Sequence, residues 1–182
     1  MRLGAKIFGI LSGVLILYLA LGLLLPSTWE ARSEAVLPGL PSEVFPFLNR
    51  MDRWVQWNAM PESGTNLFGP EAGVGSGIRW DDPQYGKGQL LIVVSVADSL
   101  VEYDVEIEGG ALEVHGVLAL RQEGMGTQIS WVERGDFGWN PLMGYAARGM
   151  GTSQAEAMHW NLERLRALLD PADGSSPGSN DP

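Results

Sequence analysis

The sequence predicts an α+β fold: a curved antiparallel β-sheet wrapped around one long C-terminal α-helix, with one transmembrane helix ahead of it. Three observations carry this. From Asn140 to Leu169 apolar or small residues recur at Met143, Ala146, Met150, Ala157, Leu162, Leu165 and Leu169. That spacing of three and four keeps one stripe of a helix facing one way. Between Asn66 and Arg134 lie short apolar or alternating segments separated by Gly- and Asp-rich turns. These connections are too short for crossover helices, so the strands run antiparallel. Finally, Ile7 to Leu25 is a run of 19 uncharged residues.

That run would span roughly 28 Å as a helix, close to the ~30 Å hydrocarbon core of a bilayer. Arg2 and Lys6 precede it, and Glu30 and Arg32 are the first charges after it. The positive-inside rule then places the N-terminus in the cytoplasm and the following domain on the extracytoplasmic side. A cleaved signal peptide is the rival reading, with Ala20-Leu21-Gly22 as a small-x-small site. Cleavage there would expose Leu23-Leu24-Leu25-Pro26, and the apolar run exceeds the usual signal core of about 7 to 15 residues. The expected organisation is an uncleaved anchor over 1–28, a globular domain over 29–169 and a disordered polar tail over 170–182.

Within the domain, Trp29 to Leu37 reads as a strand closed by Pro38, Gly39 and Pro41. A short helix follows, with Ser42 as its cap and Val44, Phe45, Phe47 and Leu48 as its apolar side. Met51 to Met60 is a second short helix with Trp54 and Trp57 on one face, ended by Pro61. Asn66 to Phe68 and Gly77 to Trp80 are short strands around a glycine-rich turn. Gln89 to Ala97 is almost wholly apolar and is expected to be central. Val101 to Glu108 alternates cleanly, Val101, Tyr103, Val105 and Ile107 against Glu102, Asp104, Glu106 and Glu108. Period two of this kind puts one face inside and one in water. Ala111 to Arg121 and Thr127 to Arg134 complete the meander.

The charge excludes one class of partner. There are 22 acidic and 12 basic residues, a net charge of -10. A surface of that sign repels phosphate backbones, so no nucleic acid is expected. The absence of cysteine rules out disulfides, zinc-thiolate sites and thiol nucleophiles.

Several local patterns carry a family resemblance. They include Pro26-Ser27-Thr28 leading to Arg32-Ser33-Glu34-Ala35-Val36, then Pro41-Ser42-Glu43-Val44-Phe45 and Trp54-Val55-Gln56-Trp57. Gly73-Val74-Gly75 before Ile78-Arg79-Trp80, and Gly126-Thr127-Gln128-Ile129-Ser130-Trp131, continue the series. In this order, the chain from Trp29 to Leu169 resembles the polyketide cyclase/dehydrase-type proteins of the SRPBCC (START/Bet v 1-like) superfamily. The resemblance implies a helix-grip fold that binds a hydrophobic molecule, such as a lipid, sterol or polyketide. It implies no reaction and no shared catalytic residue, because function belongs to sites and not to folds.

The expected cavity lining is Trp54, Trp57, Trp80, Tyr103, Trp131, Glu133, Trp139, Met143, Met150 and Met158. Aromatic walls with few polar groups suit an apolar ligand; the alternative is that the rings fill the core. Glu133 continues the phase of Ile129 and Trp131. On the inner face its carboxyl would need partners or a raised pKa, and it could then act as an acid or base. His115 is expected on the outer face and His159 on the helix, too far apart for a metal pair. Ser130 and Ser153 lack His/Asp companions, and Gly73 to Gly77 reads as a turn, not a phosphate loop.

The function expected from all this is a membrane-anchored binding domain for a hydrophobic small molecule or lipid, without cofactor, metal or defined catalytic group. The alternatives are a chaperone-like or scaffold domain that docks a protein on its acidic face, and a cyclase/dehydratase-type enzyme using Glu133 or His159.

Overall fold

The computed structural model describes residues 2–61, 64–138 and 142–170, with side chains from Lys6 onward. Trp139, Asn140 and the expected disordered tail after Asp170 lie outside the described residues. The elements are α1 (Arg2–Leu23), β1 (Thr28–Pro38), α2 (Pro41–Asn49), α3 (Met51–Trp57), β2 (Asn66–Phe68), β3 (Gly77–Asp82), β4 (Gly86–Val96), β5 (Leu100–Ile107), β6 (Leu112–Glu123), β7 (Gly126–Asp136) and α4 (Met143–Leu169).

The strands form one seven-stranded antiparallel sheet in the order β1-β7-β6-β5-β4-β3-β2. Strands β2 to β7 meander, and β1 returns to pair along the whole of β7. The apolar β4 is interior, one place from the middle, which β5 occupies. The alternation read in β5 is confirmed by burial of Val101 and Tyr103, but the strand stops at Ile107. Glu108 adopts φ 51°, a left-handed conformation that opens the turn before Gly109.

What bends the sheet is a repeated pairing of glycine with an aromatic ring. Trp29 faces Gly135, Tyr103 faces Gly116, Trp80 faces Gly88 and Phe68 faces Gly77, each pair directly opposite across two strands. In all four a side chain on the glycine would overlap the ring, so the ring lies flat over its neighbour's backbone. Glycine in a strand permits close approach and a bend, and the ring covers the surface that it leaves bare. Gly116→Ala is therefore expected to displace the Tyr103 ring and cost about 1–3 kcal/mol. Denaturant titration of the full chain checks this; a change within about 0.5 kcal/mol would contradict it.

The concave face is closed by α2, α3 and α4. Val44, Leu48, Met51, Trp54 and Trp57 plug one end and are at most 2% exposed. The cap of α2 differs from the expectation. Leu40, not Ser42, is the N-cap, Pro41 occupies the first helical position, and the Glu43 carboxylate accepts from the Leu40 amide at 2.7 Å. Proline's fixed φ suits that first position, which moves the helix start two residues earlier. Asn161 of α4 is buried because it ties α3 down: it donates to Asn58 Oδ1 at 2.9 Å and accepts from the Ala59 amide at 3.3 Å.

The stripe on α4 also differs in its first half. Gly144, Ala147, Met158, Asn161, Leu162 and Leu165 are buried, whereas Ala146 and Ala157 are exposed and Met143, Met150 and Leu169 are half-buried. A Cβ on Gly151 would sit 2.6 Å from the Glu30 carbonyl oxygen, and one on Gly144 would sit 2.9 Å from that of Gly22. The helix thus lies directly on the backbone of β1 and on the end of α1, and closeness of that kind selects the smallest residues. Tyr145 fixes the same junction. Its ring stacks on Tyr18 at 4.5 Å and 2°, and its hydroxyl donates to the Tyr18 carbonyl at 2.8 Å.

Candidate functional site

Among the described residues, the inner face of the sheet carries one buried carboxyl group, Glu133 on β7, at 5% exposure. Its position follows from strand register. Tyr103, Gly116, Glu133 and Ala31 form one row across β5, β6, β7 and β1. Adjacent strands lie about 4.8 Å apart, so Tyr103 and Glu133 are separated by roughly twice that. Because Gly116 has no side chain, the Tyr103 ring crosses β6 and its hydroxyl reaches Glu133 Oε1.

The direction of each hydrogen bond can be deduced. The indole N–H of Trp131 can only donate, and it does so to the Tyr103 hydroxyl at 2.7 Å. Tyr103 therefore turns its own proton to Glu133. Gln154, from α4, donates to the other carboxylate oxygen at 2.6 Å. Burial raises the Glu133 pKa above its ordinary value, and the hydrogen bonds from Tyr103, Gln154 and Trp131 only partly oppose this. Burial, with the adjacent Glu133 charge, also pushes the Tyr103 phenol well above its usual range. A carboxyl so placed can pass or hold a proton, or accept a hydrogen bond from a guest.

Around this cluster the predicted aromatic residues converge. Trp54 meets Trp57 at 4.9 Å and Tyr103 edge-on at 5.1 Å, and Trp57 meets Trp131 edge-on at 5.6 Å. Trp57 also donates to the Phe47 carbonyl at 2.9 Å. Side chains therefore fill the centre of the fold. Trp80 stands apart on β3 over Gly88, Met158 is buried on α4, Met150 packs half-buried against the core, and Met143 is half-buried at the start of that helix, away from the cluster. Gln154 was not foreseen, since a lone glutamine in a helix has no pattern to mark it.

Open clefts lie at the margins. One, of about 540 Å³, follows the seam between β1 and α4 and is lined by Trp29, Ala31, Ala147, Gly151 and Ala155 with Arg32 and Arg148. A larger one, of about 900 Å³, crosses β1, β7, β6 and β5 and carries charged residues on outward-facing positions. There Asp104, His115, Arg134 and Glu30 make a continuous cross-strand row. His115 Nδ1 lies 2.7 Å from Asp104 and its Nε2 lies 3.6 Å from Glu102, while Arg134 holds Glu30 at 2.7 Å. The expected outer placement of His115 is right, but its carboxylate neighbours were missed. Counting outward from the Gly109-Gly110 turn would have set it opposite Asp104. His159 is exposed on α4, and no group of three or more metal-ligating side chains converges among the described residues.

No family model matches the chain, and no curated protein matches it by sequence. Solved structures do. An uncharacterised protein from Rhizobium leguminosarum superposes with a TM-score of 0.57 at 18% identity, over 78% of this chain and 94% of that one. StfQ, the di-domain ARO/CYC of the steffimycin biosynthetic pathway, gives 0.60 at 11% identity. That match covers 78% of this chain and about half of StfQ, at 51%. The Aha1 dimer protein from Colwellia psychrerythraea gives 0.51 at 14% identity, over 80% and 98%.

The likeness is one of fold. StfQ and Aha1 share with this chain a helix-grip-like arrangement of a curved antiparallel sheet and a long C-terminal helix.

Proposed function

We propose that the chain is a membrane-anchored helix-grip domain that binds an apolar small molecule, whose one polar group is read by Glu133, Tyr103 and Gln154. The observation that carries this is the buried carboxyl itself. A folded core gains nothing from an ionisable group at 5% exposure in an aromatic setting. A binding site gains specificity, because a guest that exchanges hydrogen bonds with Glu133, Tyr103 or Gln154 offsets their displacement and a guest without a polar group does not. The likeness to StfQ, a protein of a biosynthetic pathway, supports the same reading. Anchoring is supported by α1, in which Lys6–Leu23 has a mean hydropathy of 2.1 and is almost wholly uncovered by the rest of the chain. The interfacial charges argued above favour the domain outside the cytoplasm.

Organic extraction of the purified full chain, followed by mass spectrometry, tests this. A defined apolar compound in near-stoichiometric amount is the expected result. Its recovery is expected to fall about tenfold or more in Glu133→Gln, the cost of one hydrogen bond to a charged group. Recovery of bulk membrane lipid only, equal in both proteins, would sink the reading.

The outward charged cleft favours a second reading, a docking face for a basic protein segment. Five carboxylates line that cleft, Glu30, Asp104, Glu106, Glu113 and Asp136, against one arginine. Titration with a lysine-rich peptide distinguishes the two readings. Binding that weakens with salt and with Glu106→Gln/Glu113→Gln supports docking, and an unaltered isotherm removes it.

A further inference from the structure

The junction between α1 and α4 sets how deep the globular domain sits along its apolar helix. Between Lys6 and Leu23 only Gly22 is buried. The start of α4 lies against it: a Cβ on Gly144 would stand 2.9 Å from the Gly22 carbonyl oxygen and 2.7 Å from Leu25 Cβ. Contact without intervening side chains is how helices pack in a membrane, where small residues let backbones approach. A second contact lies one turn deeper. The Tyr145 ring is parallel to that of Tyr18, and its hydroxyl donates to the Tyr18 carbonyl oxygen. Tyr18 and Gly22 are four residues apart and share a helix face, so the two contacts fix an angle as well as a point.

Tyr18 stands five residues before Leu23, the last of α1, so about 7.5 Å further back along the axis. It lies inside the apolar run, with Leu21 48% and Leu24 80% exposed beyond it. A residue stacked on Tyr18 therefore cannot stand clear of a bilayer that α1 crosses. The start of α4 suits that depth. Leu142 to Ala147 carries no charge, and Arg148 is the first after it, so no ion has to be taken out of water. Tyrosine is a residue of the membrane–water interface, and here its hydroxyl is already bonded to a helix carbonyl.

From these contacts we infer that the first turns of α4, Met143 to Ala147, are a second membrane contact, seated in the interfacial layer of the leaflet that α1 leaves. The domain is then held against the lipid in one orientation and does not swing on a tether. Its sheet meets the bilayer at the end where β1 begins and β7 ends, with Thr28 beside Asp136. The cleft at that end carries Glu106, Glu113 and Asp136 together with Pro26, so a zwitterionic lipid surface fits it better than an anionic one. The inference rests on the anchoring half of the reading above and adds to it a depth and an orientation.

The chain has no cysteine, so a single thiol can be placed where a probe is wanted. Ala146→Cys and Met125→Cys, both at exposed positions, are each labelled with the fluorophore nitrobenzoxadiazole in the full chain and reconstituted in phosphatidylcholine vesicles. Met125 is 95% exposed in the turn at the other end of β7, roughly 33 Å of strand away from Asp136. Phosphatidylcholine spin-labelled near the head of its acyl chains is expected to remove most of the emission at 146 and little at 125. Iodide in the water is expected to do the reverse. Equal or inverted quenching by either agent, in a chain that floats with the vesicles, would overturn the inference and leave the anchor standing. A chain that does not float with the vesicles would overturn the anchor and this inference together.

Discussion

Trp131→Ala is expected to lower the folding free energy by about 3–5 kcal/mol. The ring is 1% exposed, packs edge-on against Trp57 and donates its N–H to the Tyr103 hydroxyl. Its removal leaves a void that Trp57 and Tyr103 cannot both collapse into, since each is already held by another ring or strand. Tyr103 is also left free to turn its proton away from Glu133. Domains of this size are stable by about 5–15 kcal/mol, so about a fifth or more of the total is at stake. Denaturant titration of the full chain in micelles, followed by near-ultraviolet circular dichroism, measures it. Val55→Ala, at a half-exposed site on α3, is the control and should change little. A cost below about 1 kcal/mol for Trp131→Ala would mean that the aromatic centre is loose and not filled.

The second large effect concerns pH. Burial makes Glu133 hold its proton more tightly in the folded chain than in the unfolded one. Protons are then taken up on folding, so this group's contribution is fully present below the unfolded glutamate pKa of about 4.3 and is lost as pH rises through the folded value. Each tenfold difference in proton affinity between the two states is worth about 1.4 kcal/mol. Glu133→Gln removes the charge and keeps the shape: its carbonyl still accepts from Tyr103, and its amide meets a Gln154 turned to present its oxygen. The variant is expected to flatten the stability profile over that window and to be more stable than the parent above it. Melting curves from pH 4 to 8 decide the matter. If the parent instead gained stability as pH rose and the variant matched it, the inner row would not be storing a proton.

Much of this arrangement was legible in the sequence. The strict alternation of Val101 to Ile107 and the phase of Ile129, Trp131 and Glu133 put the right side chains inside, because period two leaves only two faces to choose between. The stripe on α4 was half legible. Leu162 and Leu165 were found because bulky residues announce burial, whereas Gly144, Ala147 and Gly151 were passed over. Small residues carry no hydrophobic signal, and their burial comes from the strand that presses on them. Gln154 was illegible for a similar reason, since its role depends on a carboxylate 21 positions earlier in the chain. His115 was the reverse case: hairpin arithmetic held the answer, and periodicity alone did not ask for it.

The four ring-over-glycine pairs also bear on how this sheet can vary. At each of them two distant positions in the chain share one volume, so neither can change without a matching change in the other. A descendant that replaces Gly116 by a larger residue must first give up the ring at Tyr103, and with it the bridge to Glu133. The bend of the scaffold and the chemistry of its interior are thus inherited together.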